Sequence, residues 1–254
     1  APLNQFGSRP VDILDRQRFI GVARAEYDHM IGEKAGIKGV LYGELHQLPS
    51  AQRETEIPRT FEKLPADDGF TVGGQVGAWS GERDTHMNLF VRYSSGLAAY
   101  GQFTTPSQLD LEDTTSGAHE LVVAAGGNAE FGPVGVLLGT YLRSFRNASP
   151  TLDYDDVDEG IVALRPTLFL GEIAGVSVEG SYQRQQRGVV SPDPEDPAAP
   201  PSGPKTATVW RLGVVPFLSP AGRGSFSRPQ FRFIYVAAFR DDIAAWRPVA
   251  PKLY

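Results

Sequence analysis

The sequence predicts an all-β fold, an antiparallel transmembrane β-barrel with about ten strands in this chain. Three observations carry that expectation. Apolar and polar side chains alternate with period two along successive segments, and each segment has roughly the ten-residue length of a tilted membrane strand. The connections between segments also alternate, short then long. Helical periodicity is weak throughout.

The segments follow in order. Segment 18–30 sets Arg24, Glu26 and Asp28 on one face. In 36–47, Ile37, Gly39, Leu41, Gly43 and Leu45 form a dry face against Lys38, Tyr42, Glu44 and His46. Segments 69–80 and 84–94 come next. In the second, Met87, Leu89, Val91 and Tyr93 oppose Asn88 and Arg92. Segments 117–130, 133–146, 158–171, 174–187 and 205–218 carry Arg165, Glu179 and Arg211 among their polar positions. The last, 228–240, sets Phe231, Phe233, Tyr235 and Phe239 against Gln230 and Arg232. Aromatics recur near segment ends, as interfacial girdles do.

The connections 31–35, 81–83, 131–132, 172–173 and 219–227 are short. Between them lie 48–68, 95–116, 147–157 and 188–204, rich in Pro, Ser, Thr, Asp and Gly. A soluble sandwich has no reason to keep that alternation, whereas an outer-membrane barrel has short turns on one side and long loops on the other. The Pro-rich stretch 190–204 reads as such a loop. In this topology the chain begins and ends on the long-loop side, and residues 241–254 hold Pro248 and Pro251 without a closing aromatic strand. Residues 1–254 are therefore expected to form a single barrel domain, incomplete at both ends. A soluble all-β protein is the competing expectation.

Composition excludes several function classes. With 28 Gly, 20 Pro and 21% charged residues, the chain suits a loop-rich β protein better than a helical one. No Cys is present, which rules out thiolate catalysis, Cys-ligated metals and a disulfide scaffold. A net charge of −6 and no basic tract argue against a nucleic-acid partner. Mean hydropathy of −0.23 would ordinarily mean a soluble protein, but a barrel that alternates its two faces reads as near-neutral as well.

Signals for catalysis are absent, and no catalytic residue is assigned. The sequence has no nucleophile elbow, His-Glu-x-x-His motif, phosphate-binding loop or dinucleotide fingerprint. His29, His46, His86 and His119 lack metal-ligand spacing, and the acidic run Asp153, Asp155, Asp156, Asp158 and Glu159 lacks the Gly and spacing of a dedicated Ca²⁺ loop. Neither a metal nor a cofactor is expected.

Four stretches carry a family resemblance. GSFSRPQFRFIYVAAF (Gly224 to Phe239) resembles the penultimate strand of maltoporin-type carbohydrate porins, with its aromatic before Ser-Arg-Pro and the alternating strand after it. Residues Arg18 to Gln47, His86 to Gly96 and Gly160 to Gln186 resemble further strands of that fold in the same order. The match corresponds to the family's later half.

The resemblance implies an 18-stranded barrel of the Gram-negative outer membrane, assembled as a homotrimer among outer-membrane lipids. It also implies passive diffusion of carbohydrates such as maltodextrins along a track of aromatic rings. Phe226 takes the track position before Ser227-Arg228-Pro229, where the family commonly has Trp, and alignment puts His86 at another track position. The remaining track residues are expected in strands outside this chain. A sugar channel also needs donors and acceptors for hydroxyl rims. Arg24, Glu26, Asp28, Glu44, Arg92, Arg165 and Arg232 are the pore-lining candidates, with mixed charge suited to neutral hydroxyls. A general porin and a structural or soluble binding protein are the alternative functions.

Overall fold

The structure is a computed structural model that describes residues 16–54, 59–81, 85–102, 106, 109–149, 156–188 and 203–240. Its strands are β1 (Phe19–Ile31), β2 (Ala35–Leu48), β3 (Ala51–Glu54), β4 (Phe61–Leu64), β5 (Asp67–Ser80), β6 (Thr85–Gly96) and β7 (His119–Phe131), followed by β8 (Val134–Arg146), β9 (Val157–Phe169), β10 (Ala174–Arg187), β11 (Lys205–Leu218), β12 (Phe231–Arg232) and β13 (Tyr235–Arg240). Eleven of them form one antiparallel sheet, in the order β1-β2-β5-β6-β7-β8-β9-β10-β11, with β12 and β13 both on β11. Apart from the small β3–β4 hairpin, each strand pairs with its neighbour in sequence. No α-helix occurs among the described residues.

Strand pairing settles which side chains share a face, because residues opposite one another in an antiparallel ladder point the same way. Leu41 and Leu45 are 70% and 67% exposed, whereas Glu44 and His46 between and beside them are 8% and 1% exposed. The apolar phase is thus turned outward and the polar phase inward, the reverse of a soluble sheet that packs its apolar face into a core. The outer face continues through Val72 and Val76, Leu89 and Val91, Leu138 and Leu142, and Leu212 and Val214.

Two prolines interrupt the ladder without shifting it. Leu218 pairs with Phe231 and Val214 with Tyr235 in one register, so β12 and β13 are one strand. The gap lies at Pro216, which accepts from the Phe233 N–H at 3.0 Å but has no N–H to return. Pro166 leaves a similar gap between β9 and β10, between the Thr167–Ser177 and Leu164–Gly180 pairs.

Several expected boundaries shift. The last strand starts at Phe231, not Arg228, because Ser227, Arg228 and Pro229 belong to the preceding turn. The long connection 48–68 contains the β3–β4 hairpin, so it is not plain loop. The loop 188–204 lies almost wholly outside the described residues, as do Asp153 and Asp155 of the acidic run. The sheet is open: β1 pairs only with β2, and β13 only with β11, among the described residues.

Candidate functional site

Alternation puts one phase of each strand on the inner face. Arg24, Glu26 and Asp28 lie opposite Tyr42, Val40 and Lys38, in phase with Glu44. Arg92 lies opposite Gly73 on β5 and Val122 on β7, and Arg165 opposite Leu137 on β8. Arg232 lies opposite Phe217, and His86 opposite Trp79 and Asn128. All seven charged candidates and His86 therefore share this face.

Their charges are largely paired. Glu26 is bridged by Arg24 and Lys38. Across four strands runs a ladder in which the Glu120 carboxylate, 5% exposed, receives Arg92 on one oxygen and the Arg143 Nε at 2.6 Å on the other. Arg143 continues to Glu159 at 3.7 Å, which also accepts from Gln185 Nε2 at 2.8 Å and Tyr141 OH at 3.3 Å. Arg165 contacts Glu179 Oε2 through Nε at 2.9 Å and Nη2 at 2.7 Å. Such pairs hold long side chains in fixed positions while leaving spare donors and acceptors for a ligand's hydroxyls.

At the long-loop end a segment folds inward over this face. After Gly96, whose N–H donates to Ala118 O at 2.8 Å, residues Leu97–Tyr100 form a buried 3₁₀ turn. Tyr100 meets Phe145 edge-on at 5.3 Å and joins Ala118, Ala148 and Val157 in an apolar cluster. Arg18 Nη2 donates to Leu97 O at 3.0 Å and Gly101 O at 2.8 Å, and also meets His46 Nδ1. The other ring nitrogen of His46 contacts Glu44 Oε2 at 2.6 Å, and Gln102 Nε2 reaches Glu44 Oε1 at 2.8 Å. Asp67 fixes the far end of the segment through the Thr115 N–H and hydroxyl, at 2.9 and 3.0 Å. Burial holds the Arg18 guanidinium below its ordinary range, opposed by the nearby Glu44 and Asp67 carboxylates.

A second segment folds inward at the short-turn end. Residues 219–230 do not simply join β11 to β12. They cross the inner face, with the Ser225 N–H donating to Glu130 Oε1 of β7 at 2.7 Å and the Arg223 guanidinium over the Phe169 ring of β9 at 5.1 Å. Phe226 thereby comes within 5.8 Å, ring to ring, of His86 on β6. The structure thus brings the two residues assigned to a track into contact from opposite sides of the face.

Sequence reasoning missed rings in the same phase. Trp79 stands beside His86 and rests on Gly36, where an added Cβ would lie 2.3 Å from the indole. Phe90, opposite Gln75 and Ala124, also faces inward. Period two from Gln75 or from Asn88 was the signal that places them. Among the described residues no group of three or more His, Asp or Glu side chains is arranged to hold a metal ion.

An antiparallel wall that is apolar outside, polar inside and narrowed by segments folded in from each end is the wall of a porin-type barrel. The chain belongs to the LamB porin family, whose family model matches residues 29–247. No curated protein matches the sequence. Membership makes it a maltoporin-like porin, of a family of channels through which sugars diffuse and not of enzymes.

Proposed function

We propose that the inner face of this barrel passes carbohydrates such as maltodextrins across the outer membrane of a Gram-negative bacterium, by passive diffusion and without catalysis or cofactor. Residues 1–254 form one barrel domain and supply part of an 18-stranded, homotrimeric porin whose outer face contacts lipid. Among the described residues β1 and β13 each leave one edge without a partner strand, which supports further strands beside them, since an unpaired edge in hydrocarbon leaves backbone groups without partners. Phe226, His86, Arg24, Glu26, Asp28, Glu44, Arg92, Arg165 and Arg232 line the path.

The observation that most supports this reading is the pairing of Phe226 with His86 above a face of ion-paired side chains. A pyranose offers an apolar CH face and a polar rim, and this arrangement offers a ring for one and fixed donors and acceptors for the other. The test is single-channel conductance of the full-length protein in planar bilayers, titrated with maltodextrins. Concentration-dependent block that weakens in Phe226→Ala is the expected result. Steady conductance with no block at any length of maltodextrin would leave a general porin.

A further inference from the structure

At one place on the inner face three arginines share a single carboxylate. Beneath the 219–230 turn lies a cavity of about 300 Å³ whose wall includes Arg165, Glu179, Phe226, Arg228 and Arg232. Glu179 is the one carboxylate in that wall, and Arg165 already occupies it. The other two guanidiniums are held by neutral acceptors alone. Arg228 Nη1 donates to Ser227 O at 2.7 Å, and Arg232 donates from Nε at 2.9 Å and Nη2 at 2.6 Å to Gln230 Oε1. Glu130, the acid that anchors the turn, is engaged by the Ser225 N–H. Three positive charges thus converge on one, and the excess of two faces a cavity that already has an aromatic ring and the hydroxyls of Thr167 and Ser177, 2.8 Å apart.

We infer that this cavity is an anion subsite of the sugar path, which takes the carboxylate or phosphate of an acidic carbohydrate. The inference rests on the reading of the inner face as a sugar path and adds a substrate class to it. A guanidinium presents a planar fork that matches both anions. Neutral hydroxyls do not require two uncompensated cations, whereas the Glu120 ladder pairs Arg92 and Arg143 with carboxylates on the same face. Phe226, at the rim, would stack the ring that carries the acid. Arg232 and Arg228 reach that acid from the strand and the turn.

The experiment uses the full-length protein in planar bilayers and compares block by maltotriose with block by maltotrionate, which differs in an oxidised, carboxylate-bearing terminal unit. Maltotrionate is expected to block at a concentration about tenfold lower, the size of one charge-assisted hydrogen bond. Arg228→Gln with Arg232→Gln should abolish the preference, read as the ratio of the two blocking concentrations falling to about one. Glu179→Gln, which releases Arg165, should enlarge it. Replacement of both arginines by Lys guards against misfolding, since it keeps the charge and should retain part of the preference. Equal block by the two sugars in the wild type overturns the inference and leaves the sugar path standing. No block by either removes the sugar path itself. If inorganic phosphate at matched ionic strength displaces maltotrionate at the same concentration that phosphate alone needs to bind, the site serves a free anion and the acidic-sugar assignment is wrong.

Discussion

The two inward-folded segments are opposites in construction. Residues 97–100 bury their own apolar side chains, while Thr115 satisfies Asp67 and Gln102 holds Glu44 together with His46. Residues 219–230 leave Phe226 46% exposed and carry Arg223 and Arg228, held only by an aromatic ring and a backbone oxygen. One segment is a packed plug of wall. The other offers ring and charge to whatever passes. Burial therefore separates the part that packs as wall from the part whose ring and charges stay accessible, although both are loops folded onto the same face.

The comparison breaks most easily at Tyr100. Tyr100→Ala removes a buried ring and the acceptor of the Ala148 N–H, and should cost about 3–5 kcal/mol of local stability. Amide hydrogen exchange across 97–118 should rise accordingly, and unchanged protection would show that the ring is not what anchors the segment. Glu120→Gln sharpens the charge side of the contrast. It strips two arginines of their shared carboxylate, at about 1–3 kcal/mol, and the reversal potential in a salt gradient should move toward anion selectivity.

Gly36→Ala tests the floor under Trp79 and should cost about 1–3 kcal/mol, because the new Cβ displaces the indole. A change in Trp79 emission, with Trp210 and Trp246 replaced by Phe, checks it. Phe226→Ala has the smallest expected effect. Loss of a half-exposed ring should leave thermal stability nearly unchanged, yet weaken sugar block by an amount equivalent to about 0.5–1.5 kcal/mol. Equal losses of stability at Phe226 and Tyr100 would erase the distinction between the two segments.

Much of the wall was legible beforehand. Lys38, Glu44 and His46 on one phase, against Leu41 and Leu45 on the other, gave the face of β2 directly. Local alternation fixes side-chain direction in any extended strand. The order of strands followed as well, since short connections compel neighbours to pair. The path of the 219–230 segment was not legible, although the resemblance singled out Phe226 within it. Nothing local distinguishes a turn that caps two strands from one that reaches across to β7 and β6, because its anchors, Glu130, Phe169 and His86, are far away in sequence.

The sequence by itself determined the strands, their register-compatible phases and the family, because period-two patterning and short-range connectivity are local properties of the chain. Tertiary structure alone decided which charges neutralise one another. Arg92 and Arg232 are alike as inward arginines in the sequence, and only the pairing of β6 with β7 puts Glu120 within reach of the first. The path of the 219–230 turn, for its part, leaves the second facing an open cavity with no carboxylate of its own. Ion pairing falls off over a few ångströms, so it depends on distances that no one-dimensional pattern contains.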